Sequence, residues 1–318
     1  MMNNYKTTDP SVWTGRESSD TLYLHEKVKC IDLELNELPE AQKTSFAILG
    51  YSCDEGVKRN SGRIGAAQAP DMIRKMMASL SNHLNNEVDI IDIGDIICKD
   101  GNLENAQNIT SGKISQLIDK KHFNFILGGG HDLAYAHYRG IKKHFPNASI
   151  GIINLDAHFD LRAVESQGNS GTPFYQIAKE ENDRFNYLCL GIQEESNNRA
   201  LFEIADQLEV KHIKNTNFTI TNQDHVAATV EDFINSVDHI YLTIDLDGFS
   251  SSYAPGVSAP SPFGFSPDIA LAVIEQICNS GKLISTDIAE LNPNYDIDNS
   301  TARLAARIIY YIMKFISS

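Results

Sequence analysis

The sequence lacks several features that would place it in particular classes of protein. Its 318 residues contain no uninterrupted apolar stretch near the roughly 18 residues that span a bilayer. The opening segment, MMNNYKTTDPSVWTGRESSD, has no apolar core, which a secretory signal peptide needs. The five cysteines are scattered, odd in number and without Cys-x-x-Cys spacing, which argues against a disulfide framework. We therefore expect a cytoplasmic protein without membrane spans, in a reducing compartment.

Positive charge is scarce. The chain has 27 lysines and arginines against 42 aspartates and glutamates, a net charge of −15 at pH 7. An acidic surface repels phosphate groups, so we expect neither nucleic acid nor an anionic membrane as a partner. An acidic small molecule would also be repelled at long range. Any such ligand would therefore need a local basic pocket.

Short apolar runs alternate with helical patterns along the chain. Eight runs are predicted to be strands, at 45–52, 88–94, 123–129, 149–156, 187–192, 210–214, 239–247 and 282–290. Most are continuously apolar, which is typical of strands buried on both faces of a parallel sheet. Helical patterns lie at 69–84, 132–145, 268–280 and 300–316, among others. The alternation predicts a three-layer α/β/α fold around a doubly wound, mainly parallel sheet of eight strands.

No internal repeat, low-complexity segment or linker divides the chain. We therefore expect one domain over residues 45–318. Residues 1–44 precede the first predicted strand and are expected to be an N-terminal extension packed on that domain.

Acidic and histidine residues fall at the ends of three predicted strands, where open parallel sheets bind ligands. They are His131 in FILGGGHD, then Asp156, His158 and Asp160 in IINLDAHFD, and finally Asp245 and Asp247 in YLTIDLDGF. Residues two apart on an extended chain point to the same side. Each alternating set can therefore converge on one point above the sheet.

The chemistry of this set indicates metal ions. Four carboxylates brought so close together repel one another unless cations lie among them. Carboxylate oxygen with imidazole nitrogen, and no sulfur, suits Mn²⁺ better than a structural zinc site. Six ligands exceed the need of one tetrahedral ion and suit two ions that share carboxylates. A glycine-rich turn, a helix cap or a solvated turn explains each motif alone, but the three together predict a binuclear centre.

The motifs GGGHD, DAHFD and DLDGF, followed by AELNP, resemble those of the ureohydrolases, the arginase and agmatinase family. The order and intervals match from about residue 45 to the end. The resemblance implies an eight-stranded parallel sheet, two Mn²⁺ per subunit, and a homo-oligomer that is a trimer or a hexamer. It assigns His131, Asp156, Asp160 and Asp245 to one ion, and Asp156, His158, Asp245 and Asp247 to the other. Family members use a metal-activated hydroxide to attack an amidine or guanidine carbon.

Further site residues follow from the same resemblance. Glu290, in ELNP, stands where the family has an acid that holds the cationic group of the substrate; otherwise it is an ordinary surface glutamate. Ser170, in GNSGTPF, stands where arginases and agmatinases have a catalytic histidine. A serine cannot shuttle protons near neutral pH as imidazole does. Arginine and agmatine hydrolysis are therefore disfavoured, and Asp160 is expected to transfer the proton to the leaving amine.

Basic residues indicate an acidic substrate. Arg162 continues the alternation past Asp160, and its planar fork fits a carboxylate, although a loose surface ion pair is an open alternative. The segment GYSCDEGVKRNSGRIGAAQAPDMIR, with WTGR near the N-terminus, resembles the formimidoylglutamase branch of the family. Arg59 and Arg63 lie in that segment, and we expect Arg59 to help Arg162 hold the substrate.

The expected reaction is hydrolysis of N-formimidoyl-L-glutamate to L-glutamate and formamide, a step of histidine degradation. Two alternatives stay open. A related enzyme acting on an acidic guanidine such as guanidinobutyrate would keep every metal ligand and Arg162. A non-catalytic binding protein that had lost its metals could share the fold, but six intact ligand positions argue against it.

Overall fold

The computed structural model of the protein describes residues 4–317; residues 1–3 of the expected extension and residue 318 lie outside that range. One sheet of ten strands runs through the described chain. The strands are Tyr5–Lys6 (β1), Val28–Cys30 (β2), Ser45–Ser52 (β3), Asp89–Ile97 (β4), Phe123–Leu127 (β5), Ile150–Leu155 (β6), Asn186–Ile192 (β7), Lys211–Lys214 (β8), His239–Asp245 (β9) and Leu283–Ala289 (β10). Strands β3 to β10 match the eight predicted runs closely, which confirms them.

Helices cover both faces of the sheet. In the described chain they are Glu55–Arg59 (α1), Ala69–Ala78 (α2), Leu103–Asp119 (α3), Leu133–His144 (α4), Pro173–Glu181 (α5), Arg199–Gln207 (α6), Gln223–Asn235 (α7), Pro267–Asn279 (α8) and Ser300–Ile316 (α9). Helices α2, α7, α8 and α9 share one hydrophobic core with the sheet, and α3 to α6 share a second. Strand β3 supplies Phe46 and Ile48 to the first core and Ala47 and Leu49 to the second. Burial on both faces explains the continuously apolar strands and confirms the three layers.

The strand order places four strand ends side by side. The sheet runs β1-β4-β3-β5-β10-β9-β6-β7-β8, with β2 also paired to β4. Strand β1 is antiparallel to its neighbour, and the remaining pairs are parallel. Strands β5, β10, β9 and β6 are therefore central neighbours that share one direction. Because the carboxyl ends of parallel strands lie at the same edge, the loops that follow these four strands meet there.

The sheet has two strands more than the eight that were predicted, because the N-terminal segment adds β1 and β2 to the edge at β4. Asp92 on β4 fastens the segment. Its carboxylate accepts hydrogen bonds from Trp13 Nε1 (2.7 Å) and Thr8 Oγ1 (2.8 Å). The same carboxylate pairs with the fully buried Arg74 of α2, at 2.7 Å. Strands of two and three residues carry no apolar period, so the pattern could not reveal them.

Helix α2 is shorter than expected. It ends at Ala78, whereas the pattern predicted helix to residue 84. Beyond it the backbone pairs with the N-terminal segment: Leu24 N–H donates to Leu80 O, and Asn82 N–H donates to Leu22 O. Serine and asparagine side chains in this stretch also compete with helical hydrogen bonds. No helix within residues 4–317 is long and apolar enough to cross a membrane.

Candidate metal centre and active site

The six residues predicted to bind metal meet above the centre of the sheet. His131 follows β5, Asp156 follows β6 directly, and Asp245 is the last residue of β9. Their donor atoms form two groups in the described chain, each with all atoms within 4.8 Å of one another. The groups are His131, Asp156, Asp160 and Asp245, and Asp156, His158 and Asp247. Residues far apart in the chain thus converge because their strands are neighbours.

Turns, rather than extended strands, aim several of these side chains. Strand β6 ends at Leu155, and Asp160 has a left-handed backbone with φ 48°. Glu290, directly after β10, has φ 67°. Asp247 lies in a short 3-10 turn. A positive φ is uncommon for residues other than glycine and costs of order 1 kcal/mol, so the surrounding structure must hold these two acids in place.

His131 lies among three carboxylates. Its Nδ1 atom is 2.9 Å from Asp160 Oδ2, 3.1 Å from Asp245 Oδ2 and 3.2 Å from Asp156 Oδ2. The His131 ring is 1% exposed, so water does not separate these groups. Four donor atoms therefore point at one small volume, as they would around a cation.

His158 marks the second group. Its Nδ1 atom lies 3.3 Å from Asp247 Oδ2 and 3.5 Å from Asp156 Oδ1. Asp156 faces His131 with one oxygen and His158 with the other, so it joins the two groups. Asp245 belongs to the first group only; its Oδ1 accepts the backbone N–H of Asp247 (2.8 Å). The structure thus shows one shared carboxylate, and the predicted bridging role of Asp245 stays a prediction.

A buried hydrogen-bond chain fixes which nitrogen of His131 faces the carboxylates. Its Nε2 is 2.9 Å from Thr243 Oγ1, and the Thr243 hydroxyl donates to Asp287 Oδ1 (2.6 Å). Because the hydroxyl proton goes to Asp287, Nε2 must be the protonated donor. The lone pair of neutral His131 is then on Nδ1, aimed at the other donor atoms. Histidines that bind metal are held in this way.

The ionisation of the group shows that the site needs positive charge. Burial raises the pKa of Asp245 and Glu290 well above their ordinary values, and nearby carboxylates raise them further. Burial likewise raises the pKa of Asp247 to about 6. Burial disfavours the charged form of His131, but its three carboxylate neighbours outweigh burial and raise its pKa. Neighbouring cations would favour the charged form of these carboxylates and offset the effect of burial.

The residues fit a pair of divalent cations. Their donor atoms are carboxylate oxygen and imidazole nitrogen, the combination that Mn²⁺ accepts. Asp247 Oδ1 is buried without a hydrogen-bond partner in the described chain, which a metal ion would satisfy. The shared Asp156 places the groups side by side, as two-metal sites require.

A cavity of about 300 Å³ opens onto this centre. Its lining includes Glu290, whose Oε1 accepts the backbone N–H of His131 (2.9 Å). It also includes two arginines, Arg63 and Arg162. Arg162 is exposed, lies over Gly171, and forms no ion pair within residues 4–317. The cavity therefore joins a buried acidic end to a basic end.

Arg63 is the second basic residue of the cavity. Its guanidinium donates from Nε to Ser258 O (2.9 Å) and from an Nη atom to Val257 O (2.6 Å). It also stacks on the Tyr295 ring, 3.8 Å from the centroid. No carboxylate of the described chain pairs with it. The sequence placed Arg63 and Arg59 in the same loop after the first predicted strand, and favoured Arg59 for substrate binding.

Arg59 does not line this cavity but an adjoining one, beside Asn60 and Arg162, and its predicted role in substrate binding stays a prediction. Its guanidinium pairs with Glu104 (2.6 Å) and Glu55 (3.4 Å). It also donates to the carbonyls of Gly101 and Gly168. Arg59 therefore connects α1 to α3 and to the loop after Arg162.

Comparison with known proteins identifies the family. The model of the arginase family matches residues 44–314. The chain belongs to the arginase family. The N-terminal segment before residue 44 lies outside the matched range.

Relatives of this arginase-family chain extend over almost its full length. The chain is 39% identical over 327 residues to formimidoylglutamase of Clostridium tetani, with 99% of this chain and 97% of the relative covered. It is 42% identical over 313 residues to formimidoylglutamase of Ralstonia nicotianae, with 95% of this chain and 94% of that relative covered. The crystal structure of Trypanosoma cruzi formiminoglutamase with Mn²⁺ is 25% identical, covers 87% of this chain and 96% of that one, and has a TM-score of 0.77. These likenesses agree with the arginase-like fold.

In this arginase-family chain, Ser170 lines the same cavity as the metal-binding candidates. Its side chain is largely buried, and its Oγ accepts a hydrogen bond from Asn60 Nδ2 (3.1 Å). The two residues come from different loops, after β3 and β6. The sequence pattern singled out Ser170, but nothing in it indicated Asn60 as its neighbour.

Proposed function

We propose that this chain is a manganese-dependent hydrolase that converts N-formimidoyl-L-glutamate and water into L-glutamate and formamide. Formimidoylglutamase relatives about as long as the chain support the choice of substrate. The observation that most directly supports this function is the set of residues that line one cavity. They include a buried cluster of histidine and aspartate, and two arginines without carboxylate partners. The substrate has the matching groups, an amidine carbon and two carboxylates.

The metal-binding residues would act as two sets. His131, Asp156, Asp160 and Asp245 would hold one Mn²⁺, and Asp156, His158 and Asp247 the second, with Asp245 expected to share in both. When bound, the two ions supply a nucleophile at neutral pH by lowering the pKa of water, and they stabilise the charge that develops on attack.

Glu290 would hold the amidinium of the substrate. One of its oxygens is occupied by the His131 N–H, and the other is left for the substrate nitrogen. Because Glu290 is 5% exposed, little water weakens the attraction between its charge and a cation. The amidine carbon would thereby be held beside the metal-binding residues.

Asp160 would transfer the proton that the departing glutamate nitrogen needs. Its carboxyl faces His131 Nδ1, and its side chain, 13% exposed, is more accessible than those of Asp156 or Asp245. It therefore lies between the buried cluster and the open cavity. Ser170 cannot take this role, because a hydroxyl neither gains nor loses a proton near neutral pH.

Arg63 and Arg162 would hold the two carboxylates of the substrate. Each guanidinium carries a full charge, forms no ion pair in the described chain, and has N–H donors left. A protein of net charge −15 needs such a local basic surface to attract a dianion. Guanidinobutyrate, the alternative acidic substrate, has only one carboxylate and would leave one arginine without a partner.

The assembly and the location of the protein are proposed on other grounds. A trimer or hexamer is proposed on the family resemblance alone. A cytoplasmic location is proposed on the five cysteines, none of which forms a disulfide. Residues 1–44 are proposed to be an extension of the single domain over 45–318, which their hydrogen bonds to β4 support.

A parallel assay tests the proposed function. Protein loaded with Mn²⁺ would be offered N-formimidoyl-L-glutamate, guanidinobutyrate, arginine and agmatine. We expect glutamate and formamide from the first and no urea from the others. Urea from guanidinobutyrate would keep the metal centre but overturn the substrate. No product from any of them would overturn the proposed function itself.

A further inference from the structure

The cavity is polarised between hydrogen-bond acceptors and donors. Its buried end carries carboxylates, among them Asp160 and Glu290. Gly171 lies close to two polar side chains, those of Arg162 and Asn60. A Cβ atom built on this glycine would lie 3.1 Å from Arg162 Cδ and 3.2 Å from Asn60 Nδ2. Ser170 directly precedes this glycine. Arg162, Asn60 and Ser170 therefore share one small region of the wall.

The hydrogen bond from Asn60 determines what the Ser170 hydroxyl can do. Asn60 Nδ2 is the donor and Ser170 Oγ the acceptor, at 3.1 Å. The hydroxyl proton has no acceptor within residues 4–317. Ser170 is itself held in place, because its backbone N–H donates to Gly56 O (3.1 Å). Ser170, a residue that is 8% exposed, thus keeps one unused hydroxyl donor at the wall of the cavity.

We propose that Ser170 is a specificity-determining residue whose hydroxyl, oriented by Asn60, donates a hydrogen bond to the substrate carboxylate that Arg162 binds. This inference rests on the proposed function and names a third group of its carboxylate subsite. Asn60 is a positioning residue, since it acts through Ser170.

The substrate group is a carboxylate because this part of the wall offers unused donors. The Ser170 hydroxyl and the Arg162 guanidinium can both donate hydrogen bonds, and a carboxylate can accept those hydrogen bonds with its two oxygens. The leaving nitrogen instead needs a proton, which Asp160 can supply and Ser170 cannot. A serine here therefore fits binding rather than proton transfer.

Steady-state kinetics on Ser170→Ala test the inference. We expect KM for N-formimidoyl-L-glutamate to rise about ten-fold, with kcat within about two-fold, because a hydrogen bond to a charged group is lost. The dissociation constant of L-glutamate, measured by calorimetry, should rise by a similar factor. Ser170→Thr keeps the hydroxyl and should restore KM. Ser236→Ala is the matched control and should change neither KM nor kcat. Ser236 lies just before β9, at the edge of the sheet opposite the carboxyl ends of the strands.

Two further arms make the test decisive. N-propylformamidine has the amidine but no carboxylate, so Ser170→Ala should leave its kcat/KM unchanged. Asn60→Ala should raise KM in the presence of Ser170 and add nothing to Ser170→Ala, since the two act as a unit. An unchanged KM for Ser170→Ala, an equal loss with N-propylformamidine, or additive losses in the double variant would each overturn the inference. An inactive wild-type protein would instead overturn the proposed function on which it rests.

Discussion

At the scale of the residue, two acids show how local backbone geometry completes the site. Asp160 and Glu290 both have positive φ, at 48° and 67°. Alternation along the chain correctly indicated that Asp156, His158 and Asp160 lie close together. It assumed an extended strand, however, whereas β6 ends at Leu155 and a turn brings Asp160 back to the centre. Backbone conformations of this kind depend on tertiary contacts, so the sequence alone does not reveal them.

The arginines give a direct test at this scale. Arg162→Ala and Arg63→Ala should each raise KM, or lower kcat/KM, for N-formimidoyl-L-glutamate. The change should correspond to a loss of about 2–3 kcal/mol of binding free energy, because each variant removes a charged hydrogen-bonded partner of the substrate. Arg59→Ala is the matched control. It should leave KM nearly unchanged, since its guanidinium is already paired with Glu55 and Glu104. A larger effect on KM from Arg59→Ala than from Arg162→Ala would contradict these assignments.

At the scale of the element, burial decides what the sequence can predict. Eight strands were predictable because continuous apolar runs are what a parallel sheet covered on both faces requires. Strands β1 and β2 were not, because their two and three residues owe their conformation to pairing with β4. The cluster of six candidate metal ligands followed from strand-end motifs. The contact of Asn60 with Ser170, and the presence of Arg63 rather than Arg59 in the lining of the cavity, depend on how loops pack, which no period in the sequence records.

Asp287 links three elements and should be important for stability. From β10, its carboxylate accepts hydrogen bonds from Tyr241 and Thr243 of β9 and pairs with His137 of α4 at 2.5 Å. Asp287→Asn leaves these buried partners incompletely satisfied. The free energy of unfolding should fall by about 3 kcal/mol, measured by urea denaturation.

A surface substitution controls for the change in charge. Asp232→Asn removes the same charge from an exposed position on α7 and should alter the urea midpoint little. Equal midpoints for Asp287→Asn and the wild type would show that the network does not hold the elements together.

At the scale of the whole molecule, the fold places opposite charges in one cavity of a strongly acidic chain. Burial raises the pKa of Asp132 to about 7 and of Asp247 to about 6. The pKa values of Asp160, Asp245 and Glu290 are also raised, with burial the largest cause. Because these pKa values are higher in the folded than in the unfolded state, the folded metal-free protein binds more protons between about pH 4 and 7. Its stability should therefore fall as pH rises through that window.

Metal ions compete with those protons, so the effect of Mn²⁺ on stability should depend on pH. We expect the rise in Tm caused by Mn²⁺ to be larger at pH 8 than at pH 5.5, because metal binding requires deprotonated carboxylates. Thermal unfolding with Mn²⁺ and with a chelator, at both pH values, measures this. An increment in Tm that is the same at both pH values would argue against a carboxylate-rich metal centre.

We propose that two Mn²⁺ ions bind among the six candidate ligands and that hydrolysis by this chain depends on them. The most direct test measures bound manganese per subunit and hydrolysis of N-formimidoyl-L-glutamate on the same samples of wild type and Asp245→Ala. We expect two ions and activity in the wild type, and fewer ions with activity lost in the variant, because Asp245 faces His131 at 3.1 Å within the first group. Asp245→Ala with two ions and full activity would contradict it.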